Sequence, residues 1–199
     1  MNTLLLPDFA RAPLARADVL RVAQSCVGLP YSDKGTYVEW SIGGWPRGNV
    51  NCFGLLFVVA ARLGLVDARE FWRAFGRAVA QQGTPLALAS YLRSQLRRVE
   101  PSERRAGDIL LFRWKGDGRA FSGEEEATER ALHHVAFDAG DGWIIHAQDT
   151  APDRSGAVFA TFLNAHDWPQ LHQVWTLPQY DLPPDLHEAG AFGEVSRDG

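Results

Sequence analysis

The stretch from Asn51 to Leu63, NCFGLLFVVAARL, constrains this chain more than any other. It is apolar almost throughout, with a polar residue and a cysteine at its leading edge. Leu55, Leu56, Val59 and Leu63 recur at helical spacing, and a helix this apolar has to be buried. Asn51 is a favourable N-cap, and Gly64 a favourable residue just past the C-terminus. Cys52 then falls in the first turn. Unpaired backbone N–H groups and the positive end of the helix dipole favour a thiolate there, and the thiolate is the reactive form of cysteine. A plain core cysteine on an apolar helix accounts for the same residue types, because free cysteine is among the most buried side chains.

A chain of 199 residues fits one domain, and 46% hydrophobic residues suffice for a substantial core. The net charge of −4 comes from acidic and basic residues mixed along the chain, so no clustered basic face marks a nucleic-acid partner. Two cysteines do not make a disulfide framework. Met1 to Pro7 holds a Leu4-Leu5-Leu6 run without a basic n-region or an adequate apolar core. Neither a signal peptide nor a membrane span is therefore expected, and the protein is expected to be made in the cytoplasm.

Along the chain, a helix is expected over Asp18 to Val27, with Leu20, Ala23, Cys26 and Val27 on one face and Gly28 and Pro30 ending it. Cys26 falls at its C-terminal end, where the dipole disfavours a thiolate, and reads as an inert core residue. Tyr31 to Val50, with Tyr37, Trp40 and Trp45, shows no period and reads as a loop. Two more helices are expected after the Cys52 helix. One covers Ala68 to Ala80 with Phe71, Phe75, Ala78 and Val79 inward. The other is capped by Thr84 and followed by Pro85, with Leu88, Tyr91, Leu92 and Leu96 inward.

Strands then follow at Asp108 to Trp114, His134 to Ala139, Trp143 to Ala147, Val158 to Phe162 and Gln173 to Leu177, with a polar loop from Lys115 to Arg130. Helices first and an antiparallel sheet second make an α+β layout, a single domain over 1–177 with N-terminal helices packed on the sheet. An acidic, Pro/Gly-containing tail is expected over 178–199.

A cysteine nucleophile needs a base, and histidine is the natural one. His134 and His146 sit in the two strands around Gly140-Asp141-Gly142. A three-residue loop with Gly142 left-handed would set position 136 opposite 146, leaving the two histidines as diagonal neighbours on one face. A two-residue loop would put them on opposite faces. The hairpin thus permits a relay in which Cys52 attacks, His134 is the base and His146 orients it. His133, His134 and His146 lack the short-spaced pairs of common zinc sites, so neither a metal nor another cofactor is expected.

Five pieces occur in a telling order: Gly28-Leu29-Pro30-Tyr31 with Gly35, Asn51-Cys52-Phe53-Gly54-Leu55, Gly107-Asp108-Ile109-Leu110-Leu111-Phe112, His134-Val135-Ala136-Phe137 and Ile145-His146-Ala147. Together they resemble the NlpC/P60 cysteine peptidases, papain-like α+β hydrolases of peptidoglycan stem peptides. The resemblance covers roughly Asp18 to Leu177. It implies Cys52 as nucleophile, His134 as base, His146 as the third polar residue and Tyr31 as a residue lining the site. It also implies an endopeptidase or amidase cutting between D-Glu and the diamino acid. Asn51 stands where the family usually has Asp, and Phe53 where it has a small residue.

Insertions at Thr36 to Val50 and Lys115 to Arg130 lead into the catalytic positions, and Trp40 and Trp45 are expected to contact substrate. An acyltransferase on the same core, or an inert phage-tail or cell-wall-binding module, would use the same fold. A wall substrate and no visible leader together suggest delivery by a phage-like particle or a secretion machine, whose proteins would be partners beside the peptidoglycan peptide. No nucleic-acid or membrane partner is expected.

Successive residues of a strand face opposite ways. His134→Ala is therefore expected to abolish turnover, and His133→Ala to leave most of it, in a steady-state assay on muropeptides.

Overall fold

The computed structural model describes residues 10, 12–31, 50–71, 74, 77, 80, 83–113, 132–149, 156–163 and 171–183. Its helices are α1 (Arg16–Gln24), α2 (Cys52–Arg62) and α3 (Thr84–Gln95). Its strands are β1 (Arg97–Val99), β2 (Ile109–Arg113), β3 (Leu132–Gly140), β4 (Trp143–Gln148), β5 (Ala157–Phe162) and β6 (Leu171–Thr176). They form one sheet in the order β1-β6-β2-β3-β4-β5, antiparallel throughout. This is the expected α+β layout with one unexpected strand, β1, which adds Arg97 to Val99 to the edge of β6.

α2 is the middle of the core. Its residues from Leu55 to Ala60 are all buried. The Asn51 side chain accepts a hydrogen bond from the Gly54 N–H at 2.7 Å, and that cap is worth about 1 kcal/mol. At the other end the Gly64 and Leu65 N–H groups bond the Ala61 and Ala60 carbonyls, with Gly64 at φ 68°. That is a Schellman closure, which needs the left-handed conformation glycine adopts freely.

The sheet meets the helices with Ile109, Leu111, Val135, Phe137, Ile145, Ala147, Val158 and Trp175. Its other face carries a smaller cluster of Leu110, Phe112, Ala136, Ile144 and Val174 under Leu163. Burial on both faces explains why β2 reads as an unbroken apolar run. Phe57, Phe71 and Tyr91 pack ring against ring, with centroids 4.5 Å apart for Phe57–Phe71 and 5.0 Å for Phe71–Tyr91. These contacts tie α2 and α3 to the helical turn at 68–71.

Three helical expectations need correction. α1 begins and ends earlier than Asp18 to Val27, and its buried face is Val19, Val22 and Ala23, continued by Cys26. Val27 is exposed, because the chain leaves the helix before it and turns at Gly28, φ 90°. Gly83, not Thr84, takes the N-cap position of α3, and Thr84 is the first helical residue. Phe71 and Ala74 are buried as the 68–80 pattern requires, whereas Phe75, Ala78 and Val79 and the side chain of Leu88 lie outside the described residues.

The domain also continues past 177. Pro178–Asp181 form a turn of 3-10 helix in which Gln179 is buried. The Gln179 side-chain amide donates to the Ala10 carbonyl at 3.0 Å, and the backbone carbonyl of Gln179 accepts from the Leu14 N–H. Tyr180 donates to the Gly107 carbonyl at 2.8 Å and lies under the Arg16 guanidinium, 4.2 Å from its centroid. Arg16 itself donates to Asp108 Oδ1 at 2.7 Å, Thr176 Oγ1 at 2.9 Å and the Ala106 carbonyl at 3.1 Å. One guanidinium thus joins α1, β6, the entry to β2 and the last turn.

Asp108 is only 1% exposed, so losing Arg16 strands a buried carboxylate. Arg16→Ala is expected to lower unfolding free energy by about 3 kcal/mol in urea titration, and Arg16→Ala with Asp108→Asn to recover part of it.

Candidate active site

β3 and β4 close through a two-residue turn, Asp141 and Gly142, both at positive φ (50° and 81°), with Gly140 opposite Trp143. This replaces the three-residue loop expected at Gly140 to Gly142. Alone it would send His134 and His146 to opposite faces. A bulge between Asp138 and Gly140 inserts one residue into β3 and cancels the shift. Past it, Asp138 pairs with Ile144 and Phe137 with Ile145, the register that sets 136 beside 146.

Asp138, 3% exposed, holds the bulge: Oδ1 accepts from the Gly140 N–H at 2.8 Å and Oδ2 lies 3.5 Å from Arg104 Nε. As a result His134 Nε2 and His146 Nδ1 are 2.7 Å apart, with ring centroids at 4.9 Å and planes at 82°. A second register shift, between Phe112 and Arg113, brackets the other end of this segment: Phe112 pairs with His134 and Arg113 with Leu132. The side chain of His133 lies outside the described residues.

Cys52 opens α2 and is 7% exposed. Burial pushes its thiol up to about 11, against backbone N–H groups of Val135, Phe53 and Cys52 that hydrogen-bond it and lower it. The depressed thiol expected at a helix start is therefore not the resting state. Desolvation of a thiolate outweighs three partial charges at this depth. The Val135 bond also fixes location, since it puts the sulfur against the residue that follows His134. Cys26 is fully buried; its thiol donates to the Val22 carbonyl at 3.4 Å and receives a 3.1 Å contact from Arg62. Burial raises it and Arg62 partly opposes that, so burial rather than the helix dipole keeps it inert. His146 is 5% exposed, and burial lowers it to about 4, leaving it neutral near pH 7.

Tyr31 joins through its backbone to Val50, two residues before Cys52. Its N–H donates to the Gly156 carbonyl at 2.8 Å, and the Val50 N–H donates to Pro30. Gly156 has a packing reason: a Cβ there would come within 2.9 Å of Tyr31 Cβ and 3.0 Å of the Asp149 backbone. Trp40 and Trp45, and the insertions at Thr36 to Val50 (apart from Val50) and Lys115 to Arg130, lie outside the described residues. Among the described residues no cluster of three His, Cys, Asp or Glu side chains could hold a metal ion. A thiol, a base and a group orienting the base are the parts that nucleophilic acyl transfer needs. Asp138 and the Val135 amide were not singled out from the sequence; a lone Asp beside a Gly-rich turn was the available signal for the first.

No family model and no curated protein matches the chain. Solved structures do. An NlpC/P60 family protein from Bacillus cereus is similar over 82% of this chain at 18% identity and a TM-score of 0.50, and the chain spans only 40% of it. The NlpC/p60 domain of the peptidoglycan hydrolase SagA is matched over 82% of this chain and 100% of its own, at 20% identity and 0.47. RipD from Mycobacterium tuberculosis, a non-catalytic NlpC/p60 domain protein adapted to peptidoglycan binding, is matched over 81% and 95%, at 14% and 0.45. The likeness is one of fold, and the fold of this chain is the mixed helix and antiparallel sheet of NlpC/P60 proteins.

A thiol with a raised pKa is mostly protonated at neutral pH. Iodoacetamide should therefore modify Cys52 slowly at pH 6, with a rate rising about tenfold per pH unit and levelling only near pH 11, as read by peptide mapping. A rate already flat between pH 6 and 8 would mean a preformed thiolate.

Proposed function

We propose that this protein is a cysteine endopeptidase or amidase that hydrolyses peptidoglycan stem peptides, at the bond between D-Glu and the diamino acid. The observation that carries the proposal is the 2.7 Å contact between His134 and His146, next in sequence to the Val135 backbone N–H that hydrogen-bonds the Cys52 sulfur. In this reading the resting thiol is neutral, and its proton passes to His134 Nδ1, the nitrogen not engaged by His146, as sulfur attacks the scissile carbonyl. The N–H groups at the start of α2 hold the oxyanion. Collapse expels the amine, which leaves with the proton from His134. A water molecule, deprotonated by the same imidazole, then releases the acid and restores the thiol.

His146 orients the base and, being neutral, adds no positive charge against the imidazolium. Tyr31 lines the cleft. Trp40 and Trp45 belong to the segment whose ends, Tyr31 and Val50, meet just ahead of Cys52, and they contact substrate in this reading. SagA, a peptidoglycan hydrolase, supplies the substrate class by analogy of fold. Transfer of the acyl group to an amine would use the same parts, and the products distinguish the two.

Purified muropeptides incubated with the protein and analysed by mass spectrometry should gain water at one peptide bond. Cys52→Ser should fold and lose roughly a thousandfold or more of the rate. Intact muropeptides after prolonged incubation with wild-type protein, or cleavage by Cys52→Ser at the wild-type rate, would sink the proposal.

A further inference from the structure

His146 lies between two partners on one face of the sheet. Its Nδ1 is turned to β3, 2.7 Å from His134 Nε2. The two nitrogens of an imidazole point to different sides of the ring, so Nε2 is turned away from the His134 contact. That nitrogen is buried and has no hydrogen-bond partner among the described residues. Directly opposite His146 on β5 is Phe159, whose ring lies 4.6 Å from the imidazole, centroid to centroid, at 61°.

A neutral imidazole carries one N–H and one lone pair, so two arrangements are open. In one, His134 donates Nε2–H to His146 Nδ1, and the His146 N–H points at Phe159. In the other, His146 donates Nδ1–H to His134 and leaves its own lone pair against the phenyl ring. The face of an aromatic ring is negative: it accepts an N–H and repels a lone pair. We propose that Phe159 is a positioning residue that holds His146 in the Nε2–H tautomer, so that the hydrogen bond between the histidines runs from His134 to His146. The consequence falls on His134. With its N–H spent on His146, its Nδ1 keeps the lone pair that takes up a proton. In the opposite arrangement Nδ1 carries the hydrogen and cannot act as a base. The same tautomer also suits the imidazolium, which still donates Nε2–H to His146.

This use of the tautomer rests on the hydrolase reading, but the tautomer itself is measured without substrate. Nitrogen-15 spectra of histidine-labelled protein, with the His146 signals assigned through His146→Gln, should show a protonated Nε2 and an unprotonated Nδ1 near pH 7. In Phe159→Leu, which keeps apolar volume but has no π face, the Nδ1–H tautomer should become populated. In that variant kcat on muropeptides should fall about two- to fivefold with KM unchanged, the size of effect a lost N–H···π contact gives. Phe159→Tyr should restore both.

A wild-type His146 protonated on Nδ1, a Phe159→Leu spectrum identical to wild type, or a tautomer shift with no change in kcat, overturns the inference. If the wild-type tautomer is as expected, responds to Phe159→Leu and no muropeptide is cut, the hydrolase reading fails while the tautomer assignment stands.

Discussion

A β-strand alternates with a period of two, so the side of the sheet that His146 faces depends on one residue of register between β3 and β4. The tight Asp141-Gly142 turn and the bulge before Gly140 each shift that register by one, in opposite senses. Their sum brings His146 to the side of the sheet that His134 occupies. Neither works without the other, and Asp138 couples them: its carboxylate holds the Gly140 N–H, while its backbone N–H and carbonyl pair with Asp108 and Gly107. Because Asp108 is in turn held by Arg16, the register of the hairpin is anchored through a short chain of buried polar contacts to α1 and the last turn of the domain.

Burial sets the electrical state of the site more strongly than its dipoles do. The same apolar surroundings that make α2 the middle of the core raise the Cys52 thiol and lower His146. Both groups are therefore neutral near pH 7. A neutral His146 keeps a lone pair with which to accept a hydrogen bond from His134, which a protonated one would not. Its second nitrogen has no hydrogen-bond partner among the described residues, and the Phe159 ring packs against the imidazole.

The N-terminal side of the site is built by close backbone approach. Tyr31 and Val50 meet, so the two stretches of chain come together two residues before Cys52. Gly156 lets β5 pass close enough to Tyr31 to seal that junction. The fold resembles that of NlpC/P60 proteins while its sequence matches no family model.

By itself the sequence determined the elements whose information is local. The apolar run with Asn51 ahead and Gly64 behind defines α2 and both of its ends, and short apolar runs bounded by turn residues define the central strands. The order of Cys52, His134 and His146 names the chemistry to look for. Only the tertiary structure decided what depends on distant neighbours. The actual turn and its compensating bulge follow from the pairing of Asp138 with Asp108 and Gly140, and the packing of Pro178–Asp181 follows from Arg16 and Gly107. The neutral thiol follows from layers that close over Cys52 from elsewhere in the chain, because desolvation is a property of the assembled core and not of a helix start.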